Sequence, residues 1–278
     1  MELQYLNRSV RLPSTVSEYA ERLDGVDDDW QMNDTERAAL LALVSTLKPK
    51  CAIEVGVYKG GSLAILAAHS NKVYALDINP ACETAYAGKY PNVSFITGSS
   101  EHTLPKLIEA IQASGESLDF VFIDGDHTEK GVRRDIESVL QYRPKNPLYI
   151  LLHDSFNPGC RKGMREAVWS QSPYVHFVEL DFTTGRFVSN KESRGYREMW
   201  NGFALAGLLP QERTRALTVH ENESLLFHTA FQHSVHRPES RWNPAVHARR
   251  LRRAAHLLVS DFPTFCAAIK RRIVVSRT

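Results

Sequence analysis

Apolar positions recur along this chain at two different periods, and the alternation of those periods carries the first structural signal. Residues 1–32 mix polar and apolar side chains without a clean repeat and include the acidic stretch Asp24 to Asp29, which marks them as a lead-in segment. Asn33 then reads as a helix N-cap with Glu36 as its capping-box partner, and Leu40, Leu43, Val44 and Leu47 give one apolar face at i, i+3, i+4 and i+7. Pro49 predicts the stop. Beyond it, short runs rich in Val, Ile, Phe and Tyr fall at Cys51 to Val55, Lys72 to Leu76, Val93 to Ile96, Leu118 to Ile123 and Leu148 to Leu152. Helix-length amphipathic segments lie between and after them, at 60–70, 80–89, 101–114, 128–142 and 160–170. Strands alternating with helices imply right-handed crossovers, so the expected class is α/β, a doubly wound, mostly parallel sheet with helices on both faces. Further strands at Val175 to Leu180, Arg186 to Ser189 and Leu225 to His228, with a turn at Thr183, Thr184 and Gly185, would finish the C-terminal edge antiparallel. A helical tail closes the chain: Asn243 and Pro244 start one helix, and Phe262, Phe265, Cys266, Ile269 and Ile273 face a second.

Composition narrows the class. A chain of 278 residues with 43% hydrophobic and 24% charged side chains is long enough to bury a core unaided and excludes disordered, collagen-like and disulfide-scaffold proteins. Apolar runs such as Ala38 to Val44 are far short of the roughly 20 residues of a membrane span, and the start MELQYLNRSV has no signal-peptide core, so a cytoplasmic protein without membrane partners is expected. Cys51, Cys82, Cys160 and Cys266 include no close-spaced pair, which argues against a zinc ribbon or redox motif and for reduced, buried thiols. The net charge of +2 is a cancellation: from Arg237 onward ten Lys and Arg face two acids, leaving residues 1–236 at about −6. The expected organisation is a lead-in over 1–32, a catalytic domain over 33–230 and a basic helical extension over 231–278, docked on the acidic body or on a second copy in a homo-oligomer.

The candidate chemistry sits where strands end. The first strand runs into Glu54-Val-Gly56-Val-Tyr58-Lys-Gly60-Gly-Ser62 and then a helix, where glycine lets the backbone turn sharply and the helix N-terminus offers unpaired N–H groups. The spacing acid-x-Gly-x-x-x-Gly differs from the Gly-x-Gly-x-x-Gly of dinucleotide folds, which disfavours a nicotinamide-dependent oxidoreductase. Asp77 ends the second strand 21 residues after Gly56, where a carboxylate accepts ribose hydroxyls. Gly98-Ser-Ser100-Glu101 ends the third strand, Asp124-Gly-Asp126-His127 the fourth, and His153-Asp154 the fifth. Each alone reads as ordinary turn or cap chemistry; their coincidence at successive strand C-termini, the ligand-binding edge of such sheets, is the argument.

With those residues in view, the chain resembles the class I S-adenosylmethionine-dependent methyltransferases over roughly residues 38–230. The E-V-G-V-Y-K-G-G-S turn at 54–62, F-I-D-G-D-H-T at 122–128 and L-L-H-D-S-F-N-P-G-C at 151–160 are similar to bacterial small-molecule O-methyltransferases. That group includes macrolide, aminocoumarin-sugar and rhamnosyl O-methyltransferases and cephalosporin hydroxylase-like proteins. The resemblance implies a Rossmann-like methyltransferase fold and S-adenosyl-L-methionine held by Glu54, Gly56, Tyr58, Gly60, Ser62, Asp77, Ser100, Glu101 and Asp124. It implies methyl transfer to a hydroxyl of a small molecule, a sugar or natural product.

A sugar hydroxyl has a pKa not far below that of water, about 15.7, so the acceptor requires a general base, and a cation would lower the cost further. Related metal-dependent enzymes hold a metal between the ends of the fourth and fifth strands. Here Asp124 and Asp154 match, with His153 or Ser155 as third ligand; a histidine suits Mn²⁺, Fe²⁺ or Zn²⁺ better than Mg²⁺. Without a metal, His153 or His127 is the natural base. By resemblance Asp126 fits the position of a proposed base, the alternative being that it caps the helix starting near Thr128; His153 has the alternative of a satisfied core histidine. Tyr58, Lys59 and Arg161 are either lid or substrate contacts or solvated surface. Arg249, Arg250, Arg252 and Arg253 crowd one predicted helix, the mark of a nucleic-acid methyltransferase, but D-G-D-H replaces the N-P-P-Y-like segment of base methyltransferases and aromatic interleaving is poor, so a nucleic-acid partner is not expected. A non-catalytic cofactor-binding relative is the remaining alternative.

Overall fold

A computed structural model describes residues 31–189 and 197–236. The lead-in through residue 30, residues 190–196 and everything from Arg237 on lie outside the described residues, and with them the helices expected after Asn243, Cys266 and the arginine cluster. The described residues belong to one compact unit ending at His236.

Helix α1 (Asp34–Leu47) opens with the expected capping box: Glu36 N–H donates to Asn33 Oδ1 at 3.0 Å and Asn33 N–H to Glu36 Oε2 at 2.8 Å. The alternating units follow as β1 (Ala52–Val55), α2 (Gly61–His69), β2 (Val73–Asp77), α3 (Pro80–Tyr86), β3 (Val93–Thr97), α4 (Ser100–Ser114), β4 (Phe120–Ile123), α5 (Glu129–Val139), β5 (Leu148–His153) and α6 (Pro158–Glu166). After a short 3₁₀ turn come β6 (Val175–Thr183), β7 (Arg186–Ser189), β8 (Arg197–Trp200), β9 (Phe203–Leu208), β10 (Val219–His220) and α7 (Ser224–Gln232). The main sheet runs β10-β6-β9-β5-β4-β1-β2-β3 and is parallel except at β9, which pairs antiparallel with both β5 and β6; β7 and β8 form a separate antiparallel pair. This is the expected doubly wound, mostly parallel α/β fold with helices on both faces.

Strand periodicity puts helices on both faces. Ile53, Val55, Val121, Ile123, Ile150 and Leu152 pack against Leu104, Leu107, Ile111, Ile136 and Met164 of α4, α5 and α6. Their neighbours Ala52, Phe120, Phe122, Tyr149 and Leu151 meet Leu40, Leu41, Val44, Leu63 and Leu66 of α1 and α2. Central strands buried on both faces read as unbroken apolar runs, which is why they were legible.

The C-terminal part departs from the expectation. Leu225 to His228 is not a strand but the first half of α7, because Phe227, Ala230 and Phe231 recur at helical spacing and pack on Phe156 and Met199. The antiparallel strand is instead β9, inserted between β5 and β6 with β10 at the edge, and its six residues Phe203–Leu208 are all buried. Helix α7 also runs through the domain boundary expected at 230/231.

Candidate active site at the strand C-termini

Val55 passes into a turn in which Gly56 (φ +92°) and Gly60 (φ +72°) are both left-handed. A Cβ on Gly56 would lie 2.2 Å from the carbonyl oxygen of Asp124, and one on Gly60 would meet the ring of Tyr86. Glycine is therefore demanded as much by the approach of the β4–α5 connection as by any ligand. The turn is pinned to the end of β2: Asp77 Oδ2 accepts from the N–H groups of Val57 (2.8 Å) and Tyr58 (3.1 Å), and Oδ1 from that of Asn79 (2.7 Å). Burial raises the carboxyl's proton affinity, but the three donors outweigh it and hold its pKa below the ordinary value.

Glu54 lies wholly buried beneath this turn. Ser62 Oγ donates to its Oε1, and its Oε2 is buried without a partner. Burial pushes its pKa up to about 8, against the lowering effect of the serine, so at neutral pH the acid is mostly protonated. Tyr58 stands 63% exposed above the turn, as a solvated side chain.

The residues after β3 turn toward helix α5. Ser100 Oγ donates to Asp135 Oδ2 at 3.1 Å and Glu101 pairs with Arg134 at 2.9 Å. Asp135 is buried, which raises its pKa to about 6, and its Oδ1 has no partner.

At the gap between β4 and β5, one ligand atom each from Asp124, His127 and Asp154 lies within 4.8 Å of the others. His127 Nε2 is 3.3 Å from Asp124 Oδ1 and 3.5 Å from Asp154 Oδ2. The expected third member, His153, is not in this group. Its Nδ1 is 2.9 Å from Asp124 Oδ1 and its Nε2 3.0 Å from Glu36 Oε1. With both carboxyls ionised, each ring nitrogen donates a proton and the ring carries a charge. Burial opposes that charge, yet Asp124 and Asp154 raise the His153 pKa well above its ordinary value. In this arrangement both ring nitrogens of His153 are engaged by acids, as in a satisfied core histidine, while His127 is the imidazole grouped with Asp124 and Asp154. In return, the pKa of Asp124 falls to about 2 against the effect of burial, through His153 and His127. Asp154 goes the other way, raised by burial.

Asp154 adopts φ +60° at the end of β5 and accepts from Asn201 N–H through Oδ1 at 2.6 Å. Such left-handed non-glycine residues cost roughly 1–3 kcal/mol and gather at functional sites. Asn201 and Gly202 (φ +68° and +83°) form the two-residue link from β8 into β9, with the Trp200 ring edge-on to His127 at 5.7 Å. An Asn-Gly pair is a strong turn signal, and it was the available clue to this element.

Other predicted residues take different places. Asp126 turns toward α5, accepting from Thr128 N–H at 2.8 Å and lying 3.9 Å from Arg134, while Thr128 itself caps the helix by accepting from Gly131 N–H. Arg161 is not solvated surface. It is 2% exposed, bidentate to Asp181 (2.7 and 3.0 Å), paired with Glu221 and stacked on Phe227 at 4.3 Å. Cys51, Cys82 and Cys160 are free and buried, and burial raises each thiol's pKa. Among the described residues no helix is long and apolar enough to cross a membrane.

Residues 53–155 match a family described as a methyltransferase domain. No curated protein matches the chain significantly in sequence. Among solved structures, an O-methyltransferase from Bacillus cereus in complex with SAH is similar at 17% identity over 69% of this chain and 86% of that one, with a TM-score of 0.46. The O-methyltransferase TomG of Streptomyces achromogenes, involved in tomaymycin synthesis and solved with SAM, is similar at 14% identity over 76% and 96% of the two chains, also with a TM-score of 0.46.

Proposed function

We propose, for a chain whose residues 53–155 form a methyltransferase domain, that it transfers a methyl group from S-adenosyl-L-methionine to a hydroxyl of a small molecule, a sugar or natural product, at the gap between β4 and β5. The observation that carries the reading is the convergence of Asp124, His127 and Asp154 beside the glycine turn. The residues present fit the cofactor: Glu54 Oε2 is an orphaned buried acceptor under the turn, and Asp77 ends the neighbouring strand. Bound there, the cofactor supplies a sulfonium methyl for in-line displacement, and alignment of the two reactants contributes on the order of 7–11 kcal/mol.

The acceptor hydroxyl must lose its proton. Asp124, His127 and Asp154 fit a divalent cation, and two carboxylates with one imidazole suit Mn²⁺, Fe²⁺ or Zn²⁺ better than Mg²⁺. Held there, a cation would lower the hydroxyl's pKa. Asp124, kept ionised by its imidazole neighbours, keeps its charge for that task across the physiological range. A second reading dispenses with metal: His127, oriented through Nε2 by Asp124, takes the proton at Nδ1. The distance of 3.3 Å between them favours it.

Methylation of a panel of glycosylated and polyketide hydroxyls with radiolabelled cofactor tests both. Loss of activity in EDTA and recovery with Mn²⁺ supports the metal; activity that survives EDTA and is lost in His127→Ala supports the histidine base. A protein that binds no S-adenosylhomocysteine and methylates nothing sinks both.

A further inference from the structure

We propose that Glu36, on the first helix and far in sequence from the strand ends, is a positioning residue that sets the Asp124/His127/Asp154 site by holding His153 and the Asn201–Gly202 turn on one buried carboxylate. The consequence for metal affinity rests on the cation reading above; the anchoring itself does not.

Glu36 is wholly buried, and each of its oxygens takes two donors. Oε1 accepts from His153 Nε2 (3.0 Å) and Gly202 N–H (2.6 Å), and Oε2 from Asn33 N–H (2.8 Å) and Asn201 Nδ2 (2.9 Å). The capping box uses only one of these four bonds. The other three run to the two sides of the site. His153 passes the constraint to Asp124 through Nδ1 at 2.9 Å, and Asn201 passes it to Asp154 by donating its own N–H to Oδ1 at 2.6 Å. The Asp124 and Asp154 carboxylates thus hang from the same residue by two separate arms, with Ser155 N–H to Gly202 O (3.0 Å) and Phe156 N–H to Asn201 O (2.9 Å) closing the second arm.

All four partners of Glu36 are donors, so only a carboxylate satisfies them. In Glu36→Gln the amide nitrogen must face two of those donors, whichever way it is turned. Turned one way it deprives His153 Nε2 and Gly202 N–H of their acceptor, turned the other way Asn33 N–H and Asn201 Nδ2, while size and packing are unchanged. The contrasting variant is Asn33→Ala, which removes the side-chain cap on Glu36 N–H and leaves all four carboxylate bonds in place.

The test measures Mn²⁺ binding by calorimetry and amide hydrogen exchange in the full-length chain without metal. Outer partners of metal ligands are worth roughly 10- to 100-fold in metal affinity. We expect Glu36→Gln to weaken Mn²⁺ about tenfold and to speed exchange at Gly202 or Ser155 about tenfold, as befits one lost hydrogen bond. Asn33→Ala should lower Tm without either effect. Unchanged exchange at both amides in Glu36→Gln, or the same acceleration in Asn33→Ala, overturns the proposal and leaves Glu36 a helix cap. A wild-type chain that takes up no Mn²⁺ defeats the metal reading alone, because the exchange arm still decides the anchor. Should Glu36→Gln not fold, Asn201→Gly keeps the left-handed backbone and removes the side-chain bond to Glu36 Oε2, leaving Gly202 N–H as that arm's one direct tie to Glu36; faster exchange at Gly202 is expected, and none overturns the proposal.

Discussion

Glu54 and Asp124 stand at the same edge of one sheet, at the ends of adjacent strands, and their carboxyl groups are driven in opposite directions. The first is pushed up to about 8 and the second held down to about 2. Burial raises both. The difference is the company each keeps: Glu54 receives one hydroxyl and has an empty oxygen, whereas Asp124 faces the rings of His153 and His127. A desolvated acid without a cation stays neutral, and one beside an imidazolium stays charged. The edge thus sets a protonated Glu54 under the glycine turn beside an ionised Asp124 at the gap between β4 and β5, the division on which the proposed cofactor and acceptor sides rest.

The largest test of that division is Asp124→Asn, which leaves His153 charged with one acid removed. Breaking a buried pair from one side costs about 3–5 kcal/mol. Methyl transfer should fall about 10²- to 10⁴-fold, as for loss of acid–base function. A lowered Tm and a turnover reduced by that factor are expected; retained turnover would place the charged half elsewhere.

Gly56→Ala attacks the seam between the halves. The left-handed φ alone costs roughly 1–3 kcal/mol, and a side chain 2.2 Å from the Asp124 carbonyl oxygen must also push the β4–α5 connection away. Urea unfolding should show the loss, and calorimetry should show S-adenosylhomocysteine binding weakened with it.

Glu54→Gln sharpens the contrast through pH. A folded-state pKa of about 8 against an ordinary 4.5 means that the wild-type contribution to stability is full below about 4.5 and lost as pH rises through 8. The variant keeps the neutral shape without that loss. Its Tm should match wild type at pH 4.5 and exceed it by about 10 °C at pH 9. A Tm difference independent of pH would contradict a neutral Glu54.

Ser100→Ala is the mildest. It removes one hydrogen bond to Asp135, about 1 kcal/mol, and should raise the Asp135 pKa above its value of about 6, readable by NMR titration of the carboxyl carbon.

Much of the frame was legible from residue order. The five parallel strands, the Asn33–Glu36 capping box and the glycine turn each announce themselves within a dozen residues. Strand β9 did not, because Phe203–Leu208 is a short apolar run without alternation, and Leu225 to His228 misled because four residues cannot distinguish a strand from a helical turn. At the site, the residue order pairs Asp124 and Asp154 with His153, whereas the structure groups them with His127. His127 follows Asp124 by three positions and could as easily have been a surface residue; His153 ends a strand and looked catalytic.

Sequence by itself determined what depends on near neighbours: the order of elements, the caps, the turn at Gly56 and Gly60, and the row of acids at successive strand ends. Tertiary structure alone decided what each acid and imidazole does. Glu36 meets His153 across 117 positions and Asn201 across 165, and no periodicity records such a meeting. A side chain's charge follows from the partners that burial leaves it, and those partners are chosen only when helix, strand and turn close on one another.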